Sequence, residues 1–123
     1  MRDATRGGVA TVLNEIASQS GVHIELEETA LPVHDDVRGA CELLGFDPLY
    51  VANEGVMVIF ASAESSQAIL STLKEHPYGN GAARIGSVTG AAEGRPGRVT
   101  MKTTIGSHRI LDMLSGEQLP RIC

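Results

Sequence analysis

Apolar and polar positions alternate along this chain with two clear periods. Val9, Val12, Leu13, Ile16 and Ala17 recur at helical spacing, and Gly21 is the expected stop. Asp3 or Thr5 is placed to cap the first free amides of that helix. Val22-His-Ile-Glu-Leu-Glu27 then alternates strictly, which predicts a half-buried strand with Val22, Ile24 and Leu26 inward and His23, Glu25 and Glu27 toward solvent. After Leu31-Pro32, Asp35 to Leu44 reads as a short helix with Val37, Ala40, Cys41 and Leu44 inward, ended by Gly45. Cys41 on that stripe is expected as a small core residue.

Leu49-Tyr-Val-Ala52 and Val56-Met-Val-Ile-Phe-Ala-Ser62 read as two strands joined by a turn at Asn53-Glu54-Gly55. The second is apolar on both faces, which predicts a central place in the sheet. A helix starting at Ser62 or Ser65 would bury Ala68, Ile69, Leu70 and Leu73, and His76 to Gly81 reads as a loop. Strand patterns follow at Ala83–Thr89, Arg98–Thr104 and His108–Leu114, with a Gly/Arg-rich connection over 90–97 and a turn at Gly106-Ser107. Helices interleaved with hairpins predict an α+β fold, with helices packed on a mixed, largely antiparallel sheet. Residues 1–115 form one domain in this reading, and 116–123 a flexible polar tail.

Composition adjusts this picture in a few places. The 123 residues suffice for one domain with a core, and with 3% aromatics that core must be aliphatic. No apolar run approaches a membrane span, and the N-terminus lacks an apolar signal segment, so a cytoplasmic protein with no membrane partner is expected. The net charge of −5 argues against a nucleic-acid partner. Residues 1–64 hold eleven acids and three bases, whereas 65–123 hold four acids and seven bases. Two solvated faces, or a basic half meeting an anionic substrate or acidic partner, would each produce that asymmetry.

Three stretches could carry chemistry. Gly116-Glu-Gln-Leu-Pro-Arg-Ile-Cys123 ends the chain on a thiol, and eight extended residues could carry it about 26 Å from the fold. It is either an incidental terminal cysteine or a carrier that loads a group in one place and delivers it in another. Prenylation needs the cysteine four from the end, and a metal site needs companion ligands at suitable spacing, which neither cysteine nor the scattered histidines have. Glu54 is either a solvated turn residue or a base at a sheet edge. Thr5, Arg6, Gly7 and Gly8 either cap the first helix or hold a phosphate oxygen on backbone amides and the guanidinium.

The Gly116–Cys123 ending closely resembles that of the HypE family of hydrogenase expression/formation proteins. Asp3-Ala-Thr-Arg-Gly-Gly8, Ala52-Asn-Glu-Gly55, Ala83-Arg-Ile-Gly86 and Arg109-Ile-Leu-Asp112 also look like that family, at compatible spacing. The internal motifs are shared more loosely with ATP-using synthases of the aminoimidazole-ribonucleotide-synthetase type. The resemblance implies that a HypF-type carbamoyltransferase loads Cys123 with a carbamoyl group. ATP then activates its oxygen for loss as phosphate, leaving a thiocyanate whose cyano group passes to iron on a HypC–HypD complex. It makes Glu54 the base that takes protons from nitrogen, and puts Thr5, Arg6, Gly7 and Gly8 in the nucleotide or substrate cleft.

It further implies a separate N-terminal domain, absent from this chain, that binds most of the ATP and magnesium and supplies a homodimer core. No cofactor is then expected for this chain alone, and no resident metal site. Two rivals stand beside this reading: the equivalent domain of another synthase in the superfamily, and a non-catalytic module whose tail docks on a partner.

Overall fold

In the computed structural model, which describes residues 1–113, three helices combine with six strands in the α+β arrangement that the pattern predicts. The strands are β1 (Arg2–Ala4), β2 (Val22–Glu27), β3 (Asn53–Val58), β4 (Gly86–Ala91), β5 (Val99–Lys102) and β6 (His108–Leu111). The helices are α1 (Gly8–Ser20), α2 (Asp35–Leu44) and α3 (Ala63–Glu75). Four strands form a mixed sheet in the order β4-β2-β5-β6, and β1 pairs with β3 in a separate two-stranded ribbon. Among the described residues only β2 and β5 run parallel, with Ile24 opposite Val99 and Leu26 opposite Met101. The remaining pairs are antiparallel.

Helix α1 lies over one face of that sheet. Ala10, Val12, Leu13 and Ala17 meet Ile24 and Leu26 of β2, Val99 and Met101 of β5, and Leu111 of β6 in one aliphatic cluster. Its periodicity is therefore a core-facing one, and Gly21 closes the helix in the left-handed conformation, its N–H bonded to carbonyls of the last turn. The start differs from expectation. Asp3 is spent in β1, and the cap is Gly7, with no side-chain hydrogen bond. A sequence that ran straight from motif to helix thus contains a three-residue strand that its length concealed.

The segment around residues 47–62 departs most from its pattern. Leu49–Ala52 is not a strand: Pro48–Tyr50 make a 3₁₀ turn, started by Asp47, whose carboxylate accepts from Leu49 N–H at 3.0 Å. An Asp-Pro pair caps and presets a helical turn, and that local chemistry outweighs the β-propensity of Tyr50 and Val51. Asn53-Glu54-Gly55 does turn locally, because Asn53 Oδ1 accepts from Gly55 N–H at 2.7 Å. It does so inside β3 rather than between two strands. Nor is the apolar run central in the main sheet. Among the described residues β3 pairs with β1 alone, leaving Val56, Met57, Ile59 and Phe60 exposed.

Helices α2 and α3 are amphipathic but shallowly seated. In α2 only Cys41 is buried, as expected for it, while Val37, Ala40 and Leu44 are exposed against expectation. In α3, Ile69, Leu70 and Leu73 are half-buried and Ala68 is exposed. A helical stripe shows which face is apolar, not that this chain covers it. No helix among the described residues is long and apolar enough to cross a membrane.

Candidate functional site

The β1–β3 register brings together two of the motifs singled out by sequence. Arg2 stands opposite Val58 and Asp3 opposite Met57, and then the register jumps so that Ala4 faces Asn53. Three residues of β3, Glu54 to Val56, are taken up in that jump as an irregularity, the usual device for re-aiming side chains at a strand end. Thr5-Arg6-Gly7 leaves β1 from the end at which Ala4 faces Asn53 and turns into α1, while Glu54 lies in the irregularity opposite Asp3 and Ala4. Thr5 is half-buried, while Arg6 and Glu54 are exposed.

Gly7 and Gly8 take φ of 66° and 69°, in the region that L side chains avoid. At Gly8 the reason is a close approach of backbone. A Cβ there would lie 2.4 Å from Leu49 O and 2.8 Å from both Tyr50 C and Val51 O. Gly8 thus admits the 48–51 turn against the start of α1, whereas a Cβ at Gly7 would meet the Thr11 side chain. That flank of the helix start is lined by carbonyl oxygens, which repel an anion. What stays suited to a phosphate oxygen is the Arg6 side, where α1 has no acidic residue in its first turn to compete. The residues fit one wall of an anion site.

The turn that covers Gly8 is itself tied down. Tyr50 Oη donates to Asp112 O at 2.8 Å, and Arg109 pairs with Asp47 at 2.5 Å. Burial, with Asp47 close by, raises the Tyr50 pKa above its ordinary value, and Arg109 opposes part of that rise. Asn14 of α1 donates both to Ala10 O and, at 2.7 Å, to Leu111 O. Sequence reasoning gave Tyr50 to a strand and Asn14 no role. Only the contact between segments 62 and 97 residues apart exposes them.

Other candidates fall elsewhere. Ala83-Arg-Ile-Gly86 runs into β4, and with Glu25, Glu27 and Ser87 it edges a shallow cavity of about 310 Å³. Gly86 is needed there because a Cβ would press on Glu25 O. His23, expected in solvent, is half-buried, and its Nδ1 is enclosed without a hydrogen-bond partner among the described residues. Those residues hold no group of three or more His, Cys, Asp or Glu able to ligate a metal. Cys123, with the whole 116–123 segment, lies outside the described residues.

Residues 1–97 match the family of AIR synthase related proteins, C-terminal domain. The carbamoyl dehydratase HypE of Cupriavidus necator is 55% identical over all 123 residues, which make up 34% of that relative. A crystal structure of hydrogenase maturation protein HypE in complex with ATP superposes with a TM-score of 0.89 at 53% identity, over 99% of this chain and 37% of that one. A chain in a crystal structure of a HypE–HypF complex gives 0.84 at 42% identity, over 92% of this chain and 35% of that one. The chain spans about a third of the length of the curated relatives it matches.

Proposed function

Since this chain belongs to the family of AIR synthase related C-terminal domains, we propose that it acts as the C-terminal domain of a HypE-type carbamoyl dehydratase. In the full-length protein Cys123 carries a carbamoyl group, and ATP drives its dehydration to the thiocyanate that donates a cyanide ligand to hydrogenase iron. What carries the reading is the β1–β3 register, which sets Ala4, just before the Thr5–Gly8 turn, opposite Asn53 of the Asn53-Glu54-Gly55 motif, in a chain similar to HypE proteins over all 123 residues.

The chemistry sets the roles. A thiolate is nucleophilic enough to accept the acyl group from a HypF-type carbamoyltransferase. The amide oxygen is a poor leaving group until ATP phosphorylates it, and the nitrogen must give up two protons as phosphate departs. Glu54 takes those protons. Thr5, Arg6, Gly7 and Gly8 form one wall of the cleft that holds the phosphorylated group. An N-terminal domain supplies most of the ATP and magnesium contacts and the homodimer core. The cyano group then passes as cyanide to iron on a HypC–HypD complex in the cytoplasm, with two electrons from that reduced acceptor breaking the S–C bond and leaving Cys123 as a thiolate. Residues 1–115 are the folded domain in this scheme and 116–123 the carrier segment. The exposed Val56, Met57, Ile59 and Phe60 in and just after β3 support it, since an exposed apolar run of this kind is suited to cover by the rest of a longer protein.

Cys123→Ser in the full-length protein separates this reading from its rivals. The carrier role predicts loss of both thiocarboxamide and thiocyanate. A docking tail would bind its partner as before, and a different synthase would keep its turnover.

A further inference from the structure

Two segments lie against one another through the candidate site. Ala4 faces Asn53 across the β1–β3 register, and Gly8 lies against the carbonyls of Leu49 and Val51. Residues 49–53 therefore back the Thr5-Arg6-Gly7 turn at both of its ends, and they continue directly into Glu54. Strand pairing does not hold the first part of that segment, because β3 begins only at Asn53. Leu49 is buried in the aliphatic cluster, and further ties come from β6 and the residue after it. Arg109 pairs with Asp47 Oδ2, while Asp47 Oδ1 starts the 48–50 turn by accepting from Leu49 N–H at 3.0 Å. Tyr50 Oη donates to Asp112 O at 2.8 Å. Asn14 of α1 donates to Leu111 O at 2.7 Å, so the helix that follows Gly8 and the turn that touches it are both indexed to residues 109–112.

The Asp47–Arg109 pair is partly exposed, 44% at the arginine and 26% at the aspartate, and an ion pair in such a place adds little to global stability. Its geometric effect is larger. One carboxylate both starts the turn and anchors it to β6, and the carbonyls of that turn are the ones Gly8 admits. We propose that Arg109 and Tyr50, acting through Asp47 and the 48–51 turn, are positioning residues for the proposed dehydration. They fix residues 49–53, and with them the placement of Glu54 relative to the Thr5–Gly8 wall. Neither side chain needs to touch the substrate. A shift of about 1 Å in a segment of this kind can lower a rate about 10²-fold, even when the altered residue is remote from the reacting atoms.

This inference rests on the dehydratase reading, so its test pairs a rate with a readout that needs no chemistry. In the full-length protein, Arg109→Met and Tyr50→Phe each remove one tie. Hydrogen exchange followed by mass spectrometry should quicken about fivefold over 47–55, the effect of one lost hydrogen bond, and stay unchanged over 17–24 at the other end of α1. Single-turnover conversion of carbamoyl-loaded protein to thiocyanate should slow about 10- to 100-fold, with the ATP concentration for half-maximal rate unchanged. Arg109→Lys can make the same contact with Asp47 Oδ2 and should recover most of the rate. Leu13→Ala, buried in the main cluster, is the control that lowers stability but leaves the ties in place. Unchanged exchange over 47–55 in both variants overturns the proposal, as does faster exchange there with an undiminished rate. Exchange raised equally over 17–24, with a rate no lower than that of Leu13→Ala, marks a merely structural role and overturns it too. An undiminished thiocyanate yield in Glu54→Gln would instead remove the base from the proposed function, and the exchange pattern would still decide whether the ties hold the segment.

Discussion

Replacing Gly8 with alanine tests whether its place in the motif comes from backbone packing. At φ of 69° an alanine sits in the left-handed region, which costs about 1–2 kcal/mol. Its Cβ would also fall 2.4 Å from Leu49 O, with Tyr50 C and Val51 O at 2.8 Å, all of them backbone atoms that cannot rotate away. Forcing the 48–51 turn outward is comparable to overpacking a core, about 1–3 kcal/mol. The total is about 3 kcal/mol, a large part of the 5–15 kcal/mol typical of a domain. With a urea m-value of about 1.5–2 kcal/mol/M, the midpoint should fall by about 1.5–2 M. Gly21→Ala is the matched control. It has φ of 61° but nothing within 4 Å of the new methyl, and should cost only about 1–2 kcal/mol. Urea denaturation of the two variants side by side decides the matter. If Gly8→Ala is no more destabilising than Gly21→Ala, the close approach is not what demands glycine.

Leu13→Ala, at 2% exposure in the main cluster, should cost about 3 kcal/mol by the same assay, whereas Leu43→Ala, 89% exposed on α2, should stay within about 0.5 kcal/mol. The Tyr50 phenol has a folded pKa raised above its ordinary value near 10. Its stabilising contribution is therefore fully present below about pH 10 and is lost as pH rises through the folded pKa. Tyr50→Phe should flatten that alkaline loss in urea midpoints, and an unchanged slope would assign the loss to other groups. Glu54→Gln should leave carbamoyl loading intact but slow dehydration about 10²–10⁴-fold, the usual reach of a general base; an undiminished thiocyanate yield would end its assigned role.

The core was readable because α1 and β2 obey their periods without competition. Ile24, Leu26, Leu13 and Ala17 are buried as the pattern demands. The 47–58 segment was not, since its outcome depends on Asp47 and Asn53 bonding to nearby amides, and on a three-residue strand at the N-terminus that pairs across about 50 residues. Nor could apolar stripes on α2, α3 and β3 reveal that the described residues leave them open or only half-covered; an amphipathic pattern is the same whether its cover comes from within or from another domain. The pairing of Ala4 with Asn53, which sets the first motif against the Asn53-Glu54-Gly55 motif, follows from a register, which no single motif contains. Asn14 and Tyr50 carried no sequence signal at all, because their partners are carbonyl oxygens, which every residue possesses.

Intact-mass analysis with peptide mapping addresses the carrier role itself. The full-length protein would be incubated with its carbamoylating partner, first without ATP and then with it. The expected result is one carbamoyl adduct confined to Cys123, converted by ATP to a cyano adduct on the same sulfur. A stable adduct on any other residue, or none on Cys123, would contradict the mechanism.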